Sequence, residues 1–288
     1  MMTSRPRWLP HPGWLLLVPA LGLLGGVLGV PLWQSFWRSV GAGDWTLEHY
    51  SALFTDGVTL KVLARTGQAA AIVTIVTLLL GYPYAYLMTR VGPTWRSVLV
   101  VMVLMPFWTS SLARNFGWLI LLYDNGLVQR FLALLGFGDV VLYGTAQGVT
   151  LAMSQVLLPF MVLPLFSALG GIDRRLLLAA RSLGSSPLVA FWKVYFPLSR
   201  GGVVAGVILT FTLACGFYVT PALIGSPRES LIAQLLGQRT TQLLDFAGAG
   251  ALGTLVMVVT LVLVWWANRV GGSMATIGAV AGQTGVRR

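Results

Sequence analysis

Six long apolar runs separated by short polar intervals set the pattern of this chain. They cover about Trp14–Phe36, Val62–Thr89, Ser97–Leu122, Gln147–Leu169, Gly202–Thr220 and Ala247–Ala267. Each is close to the roughly 20 residues that a helix needs to cross a hydrocarbon core about 30 Å thick. The pattern therefore predicts an all-α protein with six transmembrane helices. The first run follows a short head containing Arg5 and Arg7, an arrangement shared with signal peptides. Its length, and its end in Pro31, Trp33 and Trp37 rather than a small-residue cleavage site, predict an uncleaved helix with tryptophans at the membrane interface.

The intervals differ in kind. Arg38–Lys61 carries Asp44, Glu48 and Asp56, and Tyr123–Ala146 carries Asp124, Arg130 and Asp139. Within the latter, Leu127–Leu135 reads as a short surface helix. The loop after the fifth run holds Arg228, Glu229, Arg239 and Asp245. The longest polar-flanked interval is Gly171–Gly202. It contains Arg174, Arg175, Arg181, Lys193 and Arg200 against a single acid, Asp173. Apolar residues fill both of its halves around a Gly184-Ser185-Ser186-Pro187 break. That predicts two short amphipathic helices joined by a turn at the membrane surface, an element suited to touching another protein. The expected organisation is a head (1–13), a first helix with its outer loop (14–61), a core (62–269) containing the 171–202 loop, and a flexible Gly-rich tail (270–288).

Composition agrees with the pattern. The chain is 56% hydrophobic and 9% charged, where a soluble domain carries roughly 25% charged residues. The net charge of +11 tracks topology rather than nucleic acid. Six spans put both termini on one side, and twelve bases fall there: Arg5, Arg7, Arg90, Arg96, the five of the 171–202 interval, Arg269, Arg287 and Arg288. The other side has five, Arg38, Lys61, Arg130, Arg228 and Arg239. The positive-inside rule makes the richer side cytoplasmic. The lone Cys215 excludes an internal disulfide and a cysteine-based metal site.

Chemistry of other kinds is sought in vain. His11 and His49 fall on opposite sides, and neither an HExxH nor a Gly-x-Ser-x-Gly motif occurs. No catalytic residue, metal ligand or cofactor site is expected. A phosphate-cradling Gly-rich loop ending in Lys-Ser/Thr is also missing, so any ATP-driven work needs a partner. No acid lies clearly within a span, which argues against a carboxylate proton relay or sodium site. No inverted repeat of the secondary-transporter kind is visible, and six spans look like half of a larger machine. One run is unusual: Pro106-Phe107-Trp108-Thr109-Ser110-Ser111-Leu112-Ala113-Arg114-Asn115 places a proline, three hydroxyls, a base and an amide inside a span. It reads either as a kinked helix whose hydroxyls bond their own backbone, with Arg114 snorkelling to the interface, or as the lining of a polar pathway. Tyr82, Phe160 and Tyr218, each near a proline, are open to the same two readings.

At the 171–202 interval the pattern becomes specific. Leu178-Ala179-Ala180, then Gly184, then Val194-Tyr195-Phe196-Pro197 resembles the EAA signature of inner-membrane subunits of binding-protein-dependent ABC importers. Both alanines, the glycine and the proline match in spacing; Leu178 stands where that family usually has Glu. Leu80-Gly81-Tyr82-Pro83-Tyr84-Ala85, Met105–Leu112 and Leu157–Leu165 are similar to the equivalent segments of spermidine/putrescine-type permeases. The resemblance implies a type I importer permease fold, with the EAA loop as a coupling helix seated in a groove of a cytoplasmic ATPase. Ala179, Ala180, Arg181, Leu183, Gly184, Phe191 and Pro197 would form that contact. Tyr82, Trp108, Thr109, Ser110, Ser111, Arg114, Asn115, Phe160 and Tyr218 would line the path.

The implied partners are a second, different permease subunit, two ATP-binding subunits holding ATP and Mg, and an external substrate-binding protein docked on outer-loop acids such as Asp124, Asp139, Glu229 and Asp245. The implied solute is a polyamine or similar small organic molecule. Iron, thiamine, opines and phosphonates remain alternatives, as does a standalone channel or carrier. A buried cation calls for carboxylates, which these spans lack; the aromatic faces of Trp108, Tyr82, Phe160 and Tyr218 offer cation–π contacts instead.

Overall fold

The computed structural model describes residues 13–40, 48–124, 126–136, 138 and 140–283. Helices dominate it in chain order: α1 (Gly13–Leu24), α2 (Val30–Ser39), α3 (Glu48–Thr55), α4 (Gly57–Arg90), α5 (Pro93–Trp108), α6 (Ser111–Leu122), α7 (Leu127–Leu134), α8 (Ala146–Gly170), α9 (Arg174–Ser182), α10 (Pro187–Ala190), α11 (Phe196–Cys215), α12 (Val219–Ile224), α13 (Ile232–Thr241) and α14 (Phe246–Gln283). π-helical turns at Gly25–Gly29 and Phe191–Tyr195 join α1 to α2 and α10 to α11. Among the described residues the only strand-like pairing is a bridge between Gly144 and Gly225. Among the described residues five helices are long and apolar enough to cross a membrane, or six with the bent pair α5 and α6 taken as one span.

The contacts divide the chain into two compact units, Met1–Asp56 with Gln238–Met257, and Gly57–Gly237 with Val258–Arg288. In the first, a side chain on Gly250 would meet the Ser35 carbonyl at 2.6 Å, so the two backbones approach closely. The ion pairs of this unit centre on Arg239, which lies 3.4 Å from Asp56 and 3.7 Å from Asp245. Asp245 also caps α14 by accepting from the Gly248 N–H at 2.8 Å.

The second unit is built on α4, α8 and α11. Small residues let these helices touch, as is usual where apolar lipid supplies no hydrophobic drive between helices. A Cβ on Gly206 would lie 2.7 Å from Met161 Sδ, and one on Gly81 3.1 Å from Met161 Cγ. Two apolar clusters follow, one around Val73, Met153, Leu157 and Ile224, the other around Met88, Met161, Leu165 and Tyr195. The unit has two distinct ends. The α4–α5 turn meets the end of α8 and the Phe191–Tyr195 turn at one. At the other, Arg65 of α4 meets the start of α8 and Glu229.

Two expectations need correction. The third span is not one helix, because α5 and α6 meet at 98°. The fifth span does not begin at Gly202 or reach Thr220: the helical path runs from Pro187 through Cys215 and ends at Gly216. Pro187 reads as a break, yet it sits in the first turn of α10, where a missing N–H costs nothing. Pro197 follows a π turn whose Phe196 N–H bonds the Phe191 carbonyl, which accommodates the ring. The last helix, α14, is continuous to Gln283.

Candidate functional site

The segment matching the signature forms an elbow. Asp173 caps α9, its Oδ1 accepting from the Arg175 N–H at 2.8 Å. At the other end the Gly184 N–H bonds the Arg181 carbonyl at 3.0 Å and the Ser185 N–H bonds the Ala180 carbonyl at 3.1 Å, with Gly184 at φ +86°. That is a Schellman stop, which needs a residue free to adopt the left-handed conformation. It also accounts for the Ala180-to-Gly184 spacing. Ser186 then caps α10, its Oγ accepting from Val189 N–H at 3.4 Å.

The elbow is unusually bare. Leu183 is 88% exposed and Leu178 61%, and Leu188 and Trp192 are also exposed. Ala179 and Gly184 are exposed with them, while Ala180 is half-buried. Arg181, in the last turn of α9, is exposed too. Pro187–Cys215 is 29 residues, about 44 Å at 1.5 Å per residue, against a core of roughly 30 Å. The helical path is therefore longer than the apolar zone is thick, and the elbow lies at its N-terminal end. Phe191 turns the other way. Its ring stands edge-on to Tyr82 and Tyr86, each at 6.0 Å. Pro197 is half-buried on the same helix. These two fix where the elbow stands rather than what it presents. Tyr82 belongs with them, since its hydroxyl shares a 2.9 Å hydrogen bond with Ser199 Oγ; it is not brought to the polar run.

That run, residues 106–115, is the break between α5 and α6. Thr109 and Ser110 are extended, which frees the Pro106 carbonyl. Two donors recover it: Thr109 Oγ1 at 3.0 Å and Arg114 Nη1 at 2.5 Å. Arg114 therefore does not reach outward as a snorkelling base; it ties α6 back to α5 across the bend. Asn115 is only 1% exposed, and its amide donates to the Ser111 carbonyl at 2.8 Å. Among the described residues Asn115 Oδ1 and Arg114 Nε are buried without partners, as are the hydroxyls of Thr210 and Thr220. Trp108, Thr109, Ser110 and Ser111 are exposed. Phe160, midway along α8, meets Phe107 at 5.2 Å, which sets the depth of the break. Tyr218 lies beyond the end of α11, 3.2 Å from where a Cβ on Gly237 would sit. It precedes α12, which packs on α6. Sequence reasoning passed over Gln155, whose Oε1 accepts from Trp118 Nε1 at 3.2 Å. An amide midway along a 25-residue apolar helix was the available signal.

Of the four acids expected to dock a binding protein, two are engaged. Glu229 lies 3.7 Å from Arg65, and Asp245 pairs as described above. Asp124 is exposed, and Asp139 lies outside the described residues.

The family described as "Binding-protein-dependent transport system inner membrane component" matches residues 78–274. The chain is 33% identical to the spermidine/putrescine transport system permease protein PotB of Escherichia coli (strain K12) over 265 residues, 89% of this chain and 94% of that protein. Its fold is similar to a chain of a bacterial ABC transporter involved in the import of alginate, with a TM-score of 0.70, 16% identity, and 90% and 94% of the two chains covered. A second structure of a bacterial alginate ABC transporter, in complex with its alginate pentasaccharide-bound periplasmic protein, gives 0.69 and 17%, with 89% and 92% covered.

Proposed function

This chain belongs to the inner-membrane components of binding-protein-dependent transport systems, and on that premise we propose that it forms half of an ATP-driven translocation pathway for a polyamine or similar small organic solute. It is a multi-pass inner-membrane permease. Its fold class is that of type I ABC importer permeases. Two cytoplasmic subunits supply ATP hydrolysis with Mg, a second permease of different sequence completes the path, and an external protein delivers the solute. Both termini lie in the cytoplasm, on the side of the Arg90–Arg96 turn and the elbow.

The observation that carries the coupling role is the bare apolar elbow. Leu178, Leu183 and Leu188 are exposed at the start of a helical path longer than a bilayer core, next to Arg175 and Arg181. Leucines so placed need a protein groove, with the arginines as its polar rim. Because α10, the π turn and α11 are continuous, a push on the elbow moves α11 and the α8 packed against it as a body, the motion that alternating access requires.

The broken span supports a path at its bend, where four hydroxyl- or indole-bearing side chains are exposed beside Arg114. With no carboxylate in the run, a polyamine would be held by aromatic faces and carbonyl oxygens. The PotB match supports that solute class over the alternatives. Uptake of labelled spermidine by cells carrying the chain with its ATP-binding subunit, compared with cells lacking that subunit, tests the reading. ATP-dependent uptake is expected; equal uptake without the subunit would identify a standalone carrier.

A further inference from the structure

Between the α4–α5 turn, the end of α8 and the π turn of the elbow lies a cavity of about 140 Å³. That is room for several waters or a small polar headgroup. Arg90 and Arg96 line it over a floor that includes Leu169, Ile172 and Tyr195. Each guanidinium rests on an aromatic ring, Arg90 4.8 Å from Tyr86 and Arg96 6.0 Å from Phe166. Arg90 Nη2 also donates to the Tyr86 hydroxyl at 2.7 Å, which holds one edge of its fork in place. Neither arginine forms an ion pair among the described residues. Asp173, the acid nearest in sequence to the end of α8, is committed to capping α9. Tyr195, 3% exposed, closes the inner side of the cavity.

Two guanidinium forks without a counter-charge among the described residues, lining one cavity with a buried tyrosine and no carboxylate, describe a site for an oxyanion. Arginine forks match the oxygen geometry of phosphate in particular. The setting points the same way. Trp95, between the two arginines in sequence, is largely exposed, as is common for tryptophan at a headgroup layer. Leu87, Val98 and Met102, on the helices leading from the turn, are exposed and apolar, a surface for acyl chains. Basic pockets between helix ends on the cytoplasmic side are a known form of anionic-lipid site. We propose that this cavity binds a phosphate group, met at this depth as the headgroup of an anionic phospholipid. Free phosphate carries the same chemistry and is separated from lipid by the test. Assignment to the cytoplasmic leaflet rests on the orientation given above; recognition of phosphate does not. Since Tyr195 belongs to the elbow, an occupied cavity braces the coupling segment against the end of α8.

The test uses the full chain in nanodiscs of phosphatidylcholine, with and without phosphatidylglycerol. Retained phosphatidylglycerol is counted by native mass spectrometry, and inorganic phosphate is titrated into the phosphatidylcholine discs. The variants are Arg90→Gln/Arg96→Gln, Arg96→Gln alone and Tyr195→Phe. The last keeps the ring contacts, so it reports on the site even where the double change disturbs folding. The expected result is phosphatidylglycerol retention weakened about tenfold or more by the double change, the scale of losing charge-assisted bonds, and less by each single one. The same ranking for inorganic phosphate but not for lipid supports the site with a soluble ligand. Equal binding by all variants overturns the proposal. So does the absence of both ligands from the wild type, even where the variants weaken ATPase association, because the arginines would then serve protein carboxylates. No arm measures transport, so failure here leaves the importer reading untouched.

Discussion

At Gly202 and Gly206 the close crossing of α11 and α8 rests on the lack of a side chain. A Cβ at Gly202 would collide with Ala168 Cβ and lie 3.0 Å from the Pro164 carbonyl, while one at Gly206 would lie 3.2 Å from the Met161 carbonyl. Backbone cannot yield as a flexible side chain can. Gly206→Val should therefore lower stability by about 1–3 kcal/mol, the usual cost of overpacking, read as a shift in thermal unfolding in detergent. Gly201→Ala, with nothing within 4 Å, should stay within about 0.5 kcal/mol. Tyr82→Phe removes the bond to Ser199. It should cost about 0.6 kcal/mol, typical of interhelical bonds in membranes, and leave the solute affinity of uptake unchanged, since Tyr82 serves the elbow. A raised KM in that variant would return Tyr82 to the path.

Among the elements, the α5–α6 bend is the one most open to test. Its geometry depends on Arg114 reaching back eight residues to a carbonyl that an unbroken helix would have satisfied through residue 110. Arg114→Met should lower the maximal uptake rate about tenfold or more, with assembly intact, because a buried carbonyl then loses a charged donor. Spin labels at exposed positions such as Val98 and Ile120 should show a broadened distance distribution in that variant; an unchanged distribution would mean the bend stands without Arg114. The elbow was largely legible in sequence, because Asp173, Ala180, Gly184 and Ser186 act within a few residues of themselves as caps and a Schellman stop. The bend was legible only as a kink. Pro106 marks the place, but the 98° angle is set by a rescue from beyond the break. The true start of the fifth span was hidden for a different reason, since Pro187 looks like a terminator until its first-turn position is known.

For the molecule as a whole, the apolar runs foretold the spans, and the family followed from motif spacing. What the spacing could not carry was the direction in which each side chain of the 171–202 interval points. Phe191 faces α4 while Leu183 faces away from the protein, and only packing decides between them. That division also supplies a clean experiment. Leu183 is 88% exposed, so Leu183→Asp should leave folding within about 0.5 kcal/mol of the wild type while placing a charge in the proposed ATPase groove. The most direct test is to co-purify this variant with the ATP-binding subunit and measure ATP-dependent uptake in the same preparation. A normally folded protein that has lost ATPase association and uptake about tenfold or more, as expected when an interface anchor is buried with an unpaired charge, is the result the account requires. Wild-type association and uptake in that variant would contradict it.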